Sequence, residues 1–243
     1  MNPLVIVLGV ILVVIILMST FSKFFSGESS LASKANLVNG IPDIPVSALS
    51  KKDSANRTYS IWTYVNVWTT GANKMILGRT GDILLFLDAS TATLKCKVRP
   101  ASESGSGASL IQSDLDKANG GAGTIADVVD ITNNFPIQKW VLITVSVDAS
   151  GVCDLYLDGK LVKSVKITDV SIADSTQPIK FGKGHDTYIA DAKFLPKTLG
   201  PKDVWSDYSK GNSGSSIKSA VGSYNVNLSI LKDNVKTSSY TII

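Results

Sequence analysis

Residues 140–167 read WVLITVSVDASGVCDLYLDGKLVKSVKI, and their patterning decides the fold class. Val141, Ile143, Val145 and Val147 alternate with Leu142, Thr144, Ser146 and Asp148, the two-residue period of a strand with one face on a core. A break at residues 149–152 precedes a second strand at 154–157. Asp158-Gly159 then supplies a pair suited to the positive backbone angles of a two-residue hairpin turn, and residues 160–167 alternate again. Two tight reversals in so short a stretch leave no room for parallel pairing, which needs a crossover of about a dozen residues or more. The stretch therefore predicts an antiparallel meander and an all-β domain.

The flanking sequence extends that reading. Residues 59–68 (YSIWTYVNVW) are rich in β-branched and aromatic side chains and predict a strand largely covered on both faces. Residues 74–77, 83–88 and 94–99 predict three further short strands between Gly- and Asp-containing turns. Pro42 and Pro45 make residues 37–49 an extended edge segment. Residues 100–134 have weak periodicity, and loops of that kind inside compact domains are usually functional or disordered. Strands at 179–182 and 188–194, a short helix over 200–208 with Pro201 in its first turn, a flexible stretch at 211–216 and a hairpin of 224–231 with 235–242 complete the chain. At 243 residues it can build one sandwich with attachments.

The N-terminus is of another kind. Leu4 to Met18 (LVIVLGVILVVIILM) contains no polar side chain, and from Leu4 to Ser22 a helix covers roughly the 30 Å hydrocarbon core of a bilayer. Met1-Asn2-Pro3 lacks the basic group of a signal peptide, and Phe21, Lys23, Phe24 and Phe25 stand where a cleavage site needs small residues. Residues 1–25, with Leu4, Met18 and Phe21 among them, are thus read as an uncleaved single-pass anchor, and 26–36 (SGESSLASKAN) as a flexible tether. Lys23 and Lys34 follow the span, opposed by Glu28, and by the positive-inside rule the domain at 37–211 lies on the cytosolic side. Residues 212–243 form a linker and terminal hairpin.

Charge and motifs exclude several function classes. The formal charge is +4, but the longest basic run is Lys51-Lys52, so nothing resembles a nucleic-acid arm. Glycine-rich dinucleotide and phosphate motifs are missing. Glu28 and Glu103 are the only glutamates, so a glycanase carboxylate pair would have to come from aspartates, and Asp154, Asp158 and Asp191 read as turn and strand-end residues; His185, the only histidine, reads as an exposed turn residue without a matching nucleophile, and no catalytic residue is assigned. Cys96 and Cys153 lack metal spacing and read as small buried thiols, with an inter-sheet bridge as the alternative. Asp82, Asp88, Asp154 and Asp186 are possible oxygen donors for calcium, the one cofactor considered, although they form no recognisable spacing. Lys95, Lys97 and Arg99 make a one-faced basic stripe that reads first as a solvated strand face and second as a dock for lipid headgroups or an acidic protein. Trp62, Trp68, Trp140 and Trp205 fall on predicted strands or the helix, where burial is expected.

Three pieces carry a family resemblance: Tyr59-Ser-Ile-Trp62, then residues 140–148 followed by Asp154-Leu-Tyr-Leu-Asp-Gly159, and last Ile189-Ala-Asp191 through Leu199 to Tyr208. In that order they resemble the laminin-G-like, concanavalin-A-like jelly-roll family across about residues 57–211. TNNFPIQKW (132–140) followed by DLYLDGKLVKS is similar to versions of the domain carried on short N-terminal anchors in large DNA viruses, including those of algae. The resemblance implies two antiparallel sheets face to face, and it implies no one function, since such folds host lectins, glycanases, adhesion modules and structural parts. The expectation is a non-catalytic, membrane-anchored structural or attachment protein, a minor capsid component linking an internal virion membrane to shell proteins. A membrane-tethered lectin that binds glycans is the alternative.

Overall fold

The computed structural model describes residues 13–14, 27–98, 128–168, 170, 176–212, 226–232 and 235–242. Leu4, Met18, Phe21, Arg99, most of the 100–134 loop and most of the 211–216 stretch lie outside these. Among the described residues no helix is long and apolar enough to cross a membrane.

Among the described residues, eleven strands form two antiparallel sheets. They are β1 (Ser29–Asn36), β2 (Arg57–Val65), β3 (Lys74–Arg79), β4 (Ile83–Leu87), β5 (Leu94–Val98), β6 (Val128–Thr132), β7 (Val141–Val147), β8 (Val152–Leu157), β9 (Lys160–Lys166), β10 (Ile179–Phe181) and β11 (Thr187–Leu195). The six-stranded sheet has the order β1-β11-β2-β7-β8-β9 and the five-stranded sheet β10-β3-β4-β5-β6. Their inner faces meet in one core: Tyr59, Ile61, Val65, Ile143, Val145 and Leu155 from the first sheet lie against Ile76, Leu85, Leu87, Leu94, Cys96 and Val98 from the second. This is a jelly-roll-like sandwich, in which alternate residues of each strand supply the core. A separate two-stranded sheet pairs β12 (Val226–Lys232) with β13 (Val235–Ile242).

The meander at 140–167 forms as its pattern dictates. β7 pairs with β8 and β8 with β9, and Asp158 and Gly159 close the second hairpin with φ of 48° and 79°. Two elements differ from expectation. Ser29–Asn36 is the edge strand β1, paired with β11 and burying Ser29 and Leu31, where a tether was expected. An edge strand needs only one hydrogen-bonded ladder and here one large apolar contact, so a run of small residues suffices. Residues 37–49 are reduced to an isolated bridge between Ile44 and Ile179 and a 3-10 turn at Val46–Ala48, because the prolines remove ladder donors.

The helix α1 (Pro201–Ser209) lies on the outer face of the six-stranded sheet. Buried Val204 packs there with Tyr156, Leu195 and Leu199, while Leu199 N–H donates to Ser146 Oγ at 3.0 Å and Ser60 Oγ approaches Asp207 Oδ2 at 3.5 Å. Lys193 reaches Asp207 at 3.1 Å and Asp191 at 2.8 Å, and these carboxylates outweigh the burial of its amine and hold its pKa up.

Candidate functional site

The four aspartates read as calcium donors stand in four separate places. Asp82 is fully buried between the sheets, 2.6 Å from Arg57 Nε and 3.9 Å from Arg79, and accepts the Tyr59 hydroxyl at 2.5 Å. Burial opposes the Arg57 charge, but the Asp82 carboxylate more than offsets it, and burial together with the same carboxylate holds the Tyr59 phenol far above its ordinary range. Asp88 caps the 88–93 turn through Ser90 and Thr91 and pairs with Lys95 at 2.8 Å; against the cost of burial, those bonds hold its carboxyl well below the usual range. Asp154 sits on β8 with the Tyr156 hydroxyl at 3.5 Å. Asp186 accepts from Asn36 Nδ2 at 3.0 Å and Asn66 Nδ2 at 2.6 Å. No group of three or more His, Cys, Asp or Glu side chains converges among the described residues, and the four aspartates are not brought together at one place.

Of the basic stripe, Lys95 and Lys97 are described and Arg99 is not. Lys97 is 3% exposed, flanked in register by Leu84 and Val128, and Lys95 is engaged by Asp88. His185, expected in an exposed turn, is buried: Nε2 donates to the Met75 carbonyl at 2.8 Å and Nδ1 accepts from Thr187 Oγ1 at 2.9 Å. Burial, aided by Lys74 and against the Met75 bond, pushes its pKa down, so the ring is neutral. Gly182 makes this possible, since a Cβ there would lie 1.8 Å from the Met75 oxygen. Cys96 and Cys153 are buried and unbridged, as read; burial first and Asp154 second push the Cys153 thiol up to about 12.

The tryptophans depart from expectation in a useful way. Trp62 is buried, Trp68 and Trp140 are half-buried, and Trp205 is 51% exposed. On the outer face of the six-stranded sheet, Asn36, Tyr188 and Tyr64 face one another across β1, β11 and β2, and Trp140, just ahead of β7, continues the row. Tyr64 lies 5.5 Å from Trp140 and 6.2 Å from Tyr188, ring centre to ring centre. The next row toward the helix holds Ala190, Trp62 and Leu142, with Tyr208 stacked on Trp62 at 5.6 Å and Trp205 beside Tyr208 at 5.5 Å. The helix covers the lower part of the face and leaves the Tyr188-Tyr64-Trp140 row half-exposed beyond its last turn. Asp186, by holding the Asn36 and Asn66 amides, sets hydrogen-bonding groups at one end of that row. The signal was present in the sequence: Ser60, Trp62 and Tyr64 share one parity of β2 while Tyr59, Ile61 and Val65 fill the core, so large rings fall on the face opposite it.

Comparison with known proteins assigns the architecture. The Laminin_G_3 family model, described as the concanavalin A-like lectin/glucanases superfamily, matches residues 42–204. The chain belongs to this family. No curated protein matches it. Among solved structures, the family fold is shared with the ligand-binding domain of botulinum neurotoxin serotype D, solved in complex with N-acetylneuraminic acid, at TM-score 0.53 and 14% identity over 75% of this chain and 43% of that one. A mutant of a domain described as HCR/D aligns at TM-score 0.51 and 16% identity, over 73% of this chain and 42% of the other. The chain spans less than half the length of these neighbours.

Proposed function

We propose that the protein is a non-catalytic, membrane-tethered carbohydrate-binding module. The Tyr188-Tyr64-Trp140 row carries the reading. A pyranose presents a C–H face that packs on such rings, while its hydroxyls need amide and carboxylate partners of the kind that Asn36, Asn66 and Asp186 place at the row's end. The neurotoxin neighbour's complex with N-acetylneuraminic acid is in keeping with this, but at 14% identity that likeness concerns the fold. The buried Asp82, the turn-capping Asp88 and the separately engaged Asp154 and Asp186 make a non-enzymatic role the simplest account. The Leu4 to Met18 stretch supplies the tether. The test is a glycan array probed with full-length protein and with the Trp140→Ala and Tyr64→Ala variants. Binding by the wild type alone supports the proposal, and wild-type silence across the array refutes it.

A second reading makes the module a minor capsid or membrane-to-shell linker of a large DNA virus. It is favoured by Val67 and Ile137, 51% and 40% exposed, which add apolar surface next to the row and suit a protein partner. Cross-links from this end of the sandwich to one repeating shell protein would select it.

A further inference from the structure

The sandwich has two ends, and the chain enters at one of them. Gly27 packs against Pro196, where an added Cβ would come within 3.1 Å of the proline ring, and Ser50 N–H donates to Ser29 Oγ at 2.8 Å. Ser54 Oγ donates to the Pro196 carbonyl at 3.3 Å, Thr58 Oγ1 to the Lys197 carbonyl at 2.8 Å, and the Ala149 amide to Asn56 Oδ1 at 2.9 Å. Lys166 Nζ closes on the Ser150 carbonyl in the adjoining turn. Exposed Lys51, Lys166 and Lys197 and half-buried Lys52 therefore gather at the entry end. Among the described residues the acids there are exposed Asp53, half-buried Asp148, which accepts from Ser150 Oγ and Val152 N–H, and Glu28, 3.8 Å from Lys193. From this end β1 runs eight residues, about 25 Å at strand rise, before reaching Asn36 and the aromatic row at the other.

Chain length then fixes what the entry end must face. If the span closes near Ser22, residues 23–26 are all that separate it from Gly27, a reach of at most roughly 17 Å when fully extended. We infer that the sandwich sits end-on against the membrane its own N-terminus enters, with Lys51, Lys52, Lys166 and Lys197 on anionic lipid headgroups and the Tyr188-Tyr64-Trp140 row displayed outward. This rests on the membrane-tether reading. Each lysine near an anionic surface strengthens association about fivefold, an effect that falls off within a Debye length of about 8 Å at physiological salt.

The test uses full-length protein in nanodiscs of phosphatidylcholine with or without phosphatidylserine. A fluorophore is placed at Lys197→Cys or at Asn39→Cys, and a headgroup-attached quencher reads proximity. Cys96 and Cys153 are buried and stay unlabelled. The expected result is at least threefold stronger quenching at position 197 than at 39 in phosphatidylserine discs, lost in a K51E/K52E/K166E background or in high salt. Insertion of the chain with equal quenching at both positions, or quenching indifferent to charge, overturns the docking and leaves the anchor standing. Failure of the chain to insert removes the anchor reading, and the docking with it.

Discussion

Replacement of Asp82 by Asn tests whether the polar network inside the sandwich is held by charge. Asp82 is fully buried, with one oxygen 2.6 Å from Arg57 Nε and the other accepting from Tyr59 at 2.5 Å while standing 3.9 Å from Arg79. The substituted amide keeps the volume of the carboxylate and removes its charge, leaving two buried guanidiniums, each 1% exposed, without their shared counter-ion. Breaking a buried pair in this way costs about 3–5 kcal/mol, a large part of the 5–15 kcal/mol that holds a typical domain together. At about 2–4 °C per kcal/mol for a chain of this length, Tm should fall by about 10 °C. Tyr59→Phe removes one hydrogen bond to the carboxylate and should cost about 1.5–3 kcal/mol. The assay is urea unfolding followed by tryptophan fluorescence for wild type and both variants. A loss below about 1 kcal/mol for Asp82→Asn, or a larger loss for Tyr59→Phe, would refute the reasoning, since either would mean that packing and not charge secures this part of the core.

Three further outcomes follow from the same geometry. His185 is neutral when folded, with a pKa below the ordinary 6.5, so the unfolded chain takes up more protons as pH falls past about 6.5. Stability should be fully present above pH 7 and decline on acidification, and His185→Gln should flatten that decline in urea midpoints measured at pH 7.5 and 5.5. At Gly159, φ is 79° and a Cβ would lie 2.9 Å from Trp205 Cε3, so Gly159→Ala should cost about 1–3 kcal/mol and loosen α1, visible as a red shift in tryptophan emission. Burial raises the pKa of both thiols, so a thiol reagent should label Cys96 and Cys153 only at the rate of unfolding, and rapid labelling of the native protein would contradict their placement.

The sandwich was legible because its strands alternate. The 140–167 meander, its Asp-Gly turn and the short helix at Pro201 all carry local signals that tertiary contacts reinforce. β1 was not legible: Ser, Ala and Lys have weak strand preference, and only the open edge of β11 makes SSLASKAN a strand. Lys97 stands in register between Leu84 and Val128, and His185 bonds to Met75, neighbours distant in sequence that no local pattern announces. The aromatic row is an intermediate case. The parity of Trp62 and Tyr64 places them away from the core, but their meeting with Trp140, Tyr188 and Tyr208 depends on strand order and on where α1 lands. Counting tryptophans as buried because they lie on strands overlooked the second face of the sheet.

The four indoles offer the most direct test of the binding surface, since each reports on a different place. Full-length protein carrying 15N-labelled tryptophan, in detergent micelles, would be titrated with the best glycan from the array while the indole N–H resonances are followed. Trp140, in the half-exposed row, should shift with saturation, whereas Trp68, packed under Lys74 at 4.2 Å, should stay fixed. A ligand that moves Trp68 and leaves Trp140 in place would contradict the account, because it would put the binding surface elsewhere on the sandwich.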